Sequence, residues 1–257
     1  MSGRLQGKTA LVTGSTSNIG RAIAEAYAAE GAYVLVSGRS ERRGAEVVEG
    51  IRARGGRADF LRAELDGSAA ASTELAERAE RAAALLGGRI DILVNNAGIY
   101  PGDGTADTDE KTFDAVYAVN VKAPFFLTAA VAPAMAEAGG GVIVNMGSWI
   151  ARLAVPMGAL YSSTKGAMET LTRAWAAEFG PRGVRVNAIS PGVVLEPSED
   201  DSHPAGRMMA GTPAGRLGRP EEIAQAAVYL AAEESSFVHG TVLDVDGGRT
   251  GAAVIAA

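Results

Sequence analysis

Short runs rich in β-branched and aliphatic residues alternate with helical patterns along the whole 257-residue chain, and no other feature restricts the fold as much. The strand candidates are TALVTG, AYVLVSG, ADFLRAEL, DILVNNAG (91–98), GVIVNMGS (141–148), VRVNAISPG (184–192) and TVLDVDGG (241–248). Helical stretches separate them, among them AIAEAYAAEG and the charged amphipathic segment from Glu41 to Arg54. Unbroken apolar runs such as Ile92-Leu93-Val94 and Val142-Ile143-Val144 suit strands covered on both faces. Right-handed crossovers then wind the chain into one α/β domain, a doubly wound parallel sheet of seven strands with helices on both faces. Such sheets bind ligands at the carboxyl ends of their strands.

At 47% hydrophobic residues, a chain of this length can bury one substantial core, and no linker divides it. A net charge of −6 with 5% aromatic residues offers no basic, stacking surface, so a nucleic-acid partner is not expected. Cysteine is absent, which excludes disulfides and thiolate metal sites. His203 and His239 have no ligand-like spacing, and no metal is expected. The start MSGRLQGKTALVTG lacks the apolar stretch of a secretory signal, and no apolar run reaches the ~18 residues of a membrane span. A cytoplasmic protein without a membrane partner is therefore expected. Only residues 194–220 form a long connection, and a loop of that length reads as a substrate lid, with a disordered segment as the alternative.

The segment LVTGSTSNIGRAIA (11–24) reads as strand, glycine turn and helix. Gly14 ends the strand and Gly20 opens the helix, where backbone N–H groups and the positive helix end can approach a pyrophosphate. Taken alone, Thr13-Gly14 is equally a tight structural turn. Between the two glycines stands Asn18, the non-glycine residue type that most readily takes left-handed backbone angles, so the turn can persist. Tyr161 and Lys165, four apart in YSSTKGAMETLTRAWAAEF, share one face of a helix. A free phenol has a pKa near ~10, and a neighbouring Lys⁺ favours phenolate, which makes Tyr161 a workable acid/base. Without other motifs, such a pair is usually an exposed helix face.

TGSTSNIG, NNAG, YSSTK and SPG, in this order and spacing and continuing through VDGG, resemble the short-chain dehydrogenase/reductase family over essentially the whole chain, with a likeness to 3-oxoacyl-carrier-protein reductases. The resemblance implies a Rossmann-type fold, a nicotinamide dinucleotide and a homotetramer. Small residues on the helix of Tyr161 (Gly166, Ala167, Ala174, Ala176, Ala177) permit close packing between subunits. The family pattern has glycine where Asn18 stands, which leaves cofactor affinity open. The resemblance places Ser17, Asn18, Ile19 and Gly20 on the phosphates and Pro191, Gly192 and Val194 near the nicotinamide. After the second strand, Gly38 occupies the slot where a carboxylate would bind a free ribose 2′-hydroxyl, and Arg39 follows with a fork suited to phosphate oxygens. This favours NADP(H) over NAD(H), although Arg39 can also be read as a solvated surface residue. Glu64, where the family usually has an adenine-contacting aspartate, either accepts from adenine with Leu65 packing alongside or points to solvent. In NNAG, Ala97 and Gly98 let the strand end approach the cofactor, Asn96 ties neighbouring strands, and Asn95 is as well read as structural as ligand-binding.

Ser148 lies thirteen residues before Tyr161, the family's separation, and is expected to hold the substrate oxygen beside the phenol. By resemblance Asn120 anchors a water linking Lys165 to solvent; alternatively it caps a helix junction near Pro124. Glu196 replaces a threonine common near the nicotinamide amide, with three readings open: carboxamide partner, polar-substrate recognition, or a swing outward with Glu199, Asp200 and Asp201. That acidic segment suits an acidic carrier protein poorly. The expectation is hydride transfer between nicotinamide and a small carbonyl or secondary alcohol. Alternatives are an NAD-linked sugar or alcohol dehydrogenase and a non-catalytic dinucleotide-binding sensor or scaffold.

Overall fold

The computed structural model describes residues 3–153, 155–195 and 204–253. Strands β1 (Thr9–Val12), β2 (Tyr33–Gly38), β3 (Arg57–Arg62), β4 (Ile92–Asn95), β5 (Gly141–Met146), β6 (Val184–Pro191) and β7 (Val242–Val245) form one sheet in the order β3-β2-β1-β4-β5-β6-β7. Every pairing is parallel. The helices are α1 (Asn18–Ala29), α2 (Glu41–Ala53), α3 (Ala69–Ala84), α4 (Glu110–Tyr117), α5 (Ala123–Glu137), α6 (Ala159–Phe179) and α7 (Pro220–Ala231). This is the doubly wound parallel sheet expected from the alternating pattern, and the Rossmann-type fold that the family resemblance implies. The order reverses between β1 and β4, and a crevice opens outside the strand ends at such a switch point.

The apolar runs read as two-faced strands divide between two buried layers. Val12, Val94 and Val144 face a layer holding Ile23 and Tyr27 of α1, Val47 and Ile51 of α2, and Ile223 and Val228 of α7. Their neighbours Leu11, Leu93 and Ile143 face Leu75 of α3, Leu127 and Val131 of α5, and Met168 and Trp175 of α6. Successive side chains of a strand point to opposite faces, so a strand between two layers needs apolar residues at every position. Arg185 of β6 crosses to the carboxyl end of α7, where it donates to the carbonyls of Leu230 (2.7 Å) and Ala232 (3.0 Å) and to Ser235 Oγ (2.7 Å). A cation there meets the unpaired carbonyls and the negative end of the helix dipole.

The helical stretch Glu110–Glu137 is long and apolar enough to cross a membrane by length and composition, which a search for unbroken apolar runs passes over. In the fold its second half, α5, packs on α3 and on β4, β5 and β6. The junction expected near Pro124 is a π turn at Ala118–Lys122, beyond which α5 restarts with Pro124 in its first turn. A π turn likewise takes a backbone carbonyl out of the regular ladder.

Candidate active site

The carboxyl ends of β1, β2, β4, β5 and β6 border a cleft of about 660 Å³. Gly14, Ser17, Asn18, Ile19 and Gly20 form its floor at the amino end of α1. Gly14 has φ +63°, and a Cβ there would lie 2.8 Å from Ala97 Cα; at Gly20 it would lie 2.4 Å from the carbonyl oxygen of Gly14. Both positions therefore need glycine, and the backbone they leave bare faces the cleft. Asn18 has φ +45°, the one left-handed non-glycine residue among those described, as its slot in the turn demands. The loop is braced from below: the buried Ser15 hydroxyl donates to the Val12 carbonyl (2.6 Å) and accepts from Ser37 N–H (2.9 Å).

Asn96 ties β4 to β1 as expected, with its amide nitrogen donating to the carbonyls of Thr13 (2.9 Å) and Gly14 (3.1 Å). Thr13, named in the sequence only as part of the turn, accepts from the N–H groups of Asn96 (3.0 Å) and Ala97 (3.1 Å). Asn95 is structural: it is buried and donates to Thr128 Oγ1 (3.1 Å) and Asn145 Oδ1 (2.9 Å), and Asn145 in turn donates to Thr172 Oγ1 (2.9 Å).

Arg39 and Arg43 both line the cleft at the end of β2, beside Gly38. Neither has a carboxylate partner among the described residues, whereas Arg42 between them pairs with Glu46. Arg43 is the second cation that the glycine loop lacks; its place four residues beyond Arg39, in the first turn of α2, was the available signal. A Cβ on Gly38 would lie 2.7 Å from Thr16 Cγ2, so a carboxylate-bearing residue would crowd the loop. Glu64 and Leu65 also line the cleft, with Asp66 beyond them. Pro191, Gly192 and Val194 wall its far end, where Val194 bridges to Gly218 and closes the base of the 194–220 excursion. Glu196, Glu199, Asp200, Asp201 and His203 lie outside the described residues. Bare glycines at a helix start, unpaired cations and a long cleft fit an extended dinucleotide diphosphate.

Ser148, Tyr161 and Lys165 meet at the β5 end of this cleft, with Ala97 and Gly98 on its β4 side. Tyr161 and Lys165 lie one turn apart in α6, with the ammonium 5.4 Å from the phenol ring centre. The Ser148 hydroxyl faces the phenol and favours its ionised form. Buried Lys165 donates to the Met146 carbonyl (2.9 Å), and burial pulls its pKa down to about 8. Burial also pushes Tyr161 up to about 12, against the opposing effect of the Ser148 hydroxyl. Burial thus keeps the phenol protonated at neutral pH, the form of the expected acid/base that can donate a proton.

Asn120 alone of the expected site residues does not line the cleft. It is buried behind Gly98, accepts from Ile99 N–H (2.8 Å) and donates to the Ile99 carbonyl (3.0 Å) and to Thr164 Oγ1 (3.2 Å). A Cβ on Gly98 would lie 3.4 Å from Asn120 Oδ1 and 3.8 Å from Lys165 Nζ, so the asparagine, the strand end and the lysine are near neighbours. Arg152, four residues after Ser148, forks onto Asp244 of β7, donates to Ser190 Oγ (2.9 Å) and lies 3.5 Å from the Glu169 carboxylate. It pins the segment after Ser148 to β6, β7 and α6, and nothing local in the sequence announces it.

Residues 14–250 match the family described as Enoyl-(Acyl carrier protein) reductase. The chain is 40% identical to D-threitol dehydrogenase of Mycolicibacterium smegmatis, over 96% of this chain and 94% of that one. A solved short chain dehydrogenase/reductase family protein is 43% identical, with TM-score 0.86 over 97% of this chain and 100% of its own. The crystal structure of 3-oxoacyl (acyl-carrier-protein) reductase from Agrobacterium tumefaciens C58 with NADP bound is 34% identical, with TM-score 0.87 over 95% of each chain. The chain belongs to the short-chain dehydrogenase/reductase family. It is an oxidoreductase of that family, with a site for a nicotinamide dinucleotide.

Proposed function

We propose that the protein is an NADP(H)-dependent carbonyl reductase and secondary-alcohol dehydrogenase. The observation that carries this reading is the pairing, in one cleft, of Ser148, Tyr161 and Lys165 at one end with Arg39 and Arg43 at the other. When bound, the nicotinamide supplies or accepts the hydride. The two guanidiniums hold a 2′-phosphate through charge-assisted hydrogen bonds. The backbone of the loop Gly14–Gly20, bare at its two glycines, would receive the pyrophosphate. Ser148 holds the substrate oxygen, and the protonated phenol of Tyr161 donates to it as negative charge develops there. Lys165 keeps a positive charge beside the phenol, and Asn120 fixes the Ile99 backbone and the π turn that flank the lysine. Segment 194–220, held at its base by Val194 and Gly218, acts as the substrate lid.

An NAD-linked sugar or alcohol dehydrogenase is the second reading, favoured by Glu64 and Asp66 on the same cleft wall and by the relative that acts on D-threitol. Titration with NADPH and NADH separates the two. Preference for NADPH, abolished by Arg39→Ala without loss of NADH binding, supports the proposal; equal affinities in the unmutated protein refute it. Consumption of NADPH by any member of a carbonyl panel separates an enzyme from a non-catalytic dinucleotide sensor.

A further inference from the structure

The charged side chains along the cleft are not evenly spread. Among the described residues they are Arg39, Arg43, Glu64, Asp66 and Lys165. The first four belong to the β2 and β3 end, and Lys165 is committed to the Met146 carbonyl. Among the described residues the walls around Ser148 and Tyr161 are Ile99, Tyr100, Gly147, Gly192 and Val194, with no carboxylate and no free cation.

Tyr100 gives this end its shape. Its ring meets the Tyr161 ring edge-on, with centres 4.8 Å apart, and stays half exposed. It is confined from the other side by Gly158, which has φ +82° and where a Cβ would lie 3.0 Å from the Tyr100 ring. Gly158 N–H is in turn held by the Asp103 carbonyl (3.3 Å), so the segment carrying Tyr100 and the segment leading into α6 form one closed corner. An exposed aromatic face fixed beside the reacting hydroxyl offers a ligand dispersion and apolar area. An anion finds no uncommitted cation among the described residues here. A polyol finds few hydrogen-bonding groups beyond Ser148 and Tyr161, and hydroxyls buried without partners are costly.

Building on the reductase reading, we infer that the substrate is a neutral ketone, or the matching secondary alcohol, carrying an apolar ring or alkyl group that packs on Tyr100, which makes Tyr100 a specificity-determining residue. It is not a keto acid or a ketose.

The test compares kcat/KM for cyclohexanone, acetoacetate and dihydroxyacetone with NADPH, in the unmutated protein, Tyr100→Ala and Tyr100→Phe. The expected order places cyclohexanone at least about tenfold above the other two, the discrimination an apolar pocket supplies. Tyr100→Ala should lower kcat/KM for cyclohexanone about tenfold, chiefly through KM, and Tyr100→Phe should recover most of that loss. NADPH affinity should not change in either variant. Preference for acetoacetate or dihydroxyacetone, or an equal loss on all three ketones in Tyr100→Ala, overturns this inference and leaves the reductase reading standing. No turnover of any carbonyl overturns both.

Discussion

Asn18 is where a single side chain most directly tests the phosphate-loop account. Its φ of +45° lies in the left-handed region, where an ordinary L-residue costs ~1–2 kcal/mol and asparagine recovers part of that through its short amide. Asn18→Gly removes the cost, and Asn18→Val imposes it in full with a branched Cβ added. The strain of valine has two outlets: the loop keeps its shape and the fold loses stability, or the loop relaxes and releases the phosphates. Together these should amount to ~1–2 kcal/mol, seen as roughly fivefold to thirtyfold weaker NADPH binding, or as a melting temperature about 2–8 °C lower. Glycine should bind NADPH equally or up to about tenfold more tightly, a factor worth ~1.4 kcal/mol. Fluorescence titration of NADPH and thermal denaturation of each variant measure both outlets. Asn18→Ala separates backbone cost from branching. If valine matches asparagine in affinity and in melting temperature, residue 18 is not in a demanding conformation beside the phosphates, and the reasoning fails.

Arg185→Ala leaves the carbonyls at the end of α7 without their donor; at ~1–3 kcal/mol per unsatisfied buried group, a loss of about 3 kcal/mol is expected, or roughly 6–12 °C in thermal denaturation, and a change under about 2 °C contradicts the capping role. Lys165, pulled down to about 8, should lose its charge as pH rises, so kcat/KM for NADPH should fall through that value, and Lys165→Met should abolish that limb. The same group gives a stability signature: between about 8 and its ordinary 10.5 the unfolded chain holds the proton that the folded chain has released, so stability rises with pH across that window. Stability that is flat or falling there in the unmutated protein, after subtraction of the Lys165→Met curve, contradicts it. The family resemblance implies a homotetramer, and Ala174 and Ala177, exposed on α6, permit close packing between subunits; light scattering at micromolar concentration should then give the mass of four chains, and a monomer refutes this.

What was legible in the sequence was set by local periodicity and local backbone geometry. Leu93 and Val94 announce a strand between two layers because the strand repeat sends them to opposite faces. Tyr161 and Lys165 announce a shared face because of the helical repeat, and Asn18 announces a left-handed turn because few other side chains tolerate one. What was not legible depends on contacts between distant segments. Arg43 reaches the cleft because α2 starts beside β2, and Tyr100 becomes a wall through its packing on Tyr161 and Gly158. Arg152 acquires its role from Asp244, Ser190 and Glu169 on three other elements. Spacing places Tyr161 beside Lys165, but the direction of the phenol's pKa follows from how deeply the pair is buried, which spacing does not encode.

The central claim is that Tyr161 donates the proton in an NADPH-dependent reduction. Tyr161→Phe keeps the ring that meets Tyr100 and removes only the hydroxyl, so steady-state kinetics on a carbonyl turned over by the unmutated protein, with NADPH affinity measured in parallel, isolate that proton. The account predicts a fall in kcat of about 10²–10⁴-fold, the range of general acid–base catalysis, with NADPH affinity retained. A variant that keeps kcat within a few-fold of the unmutated protein contradicts it.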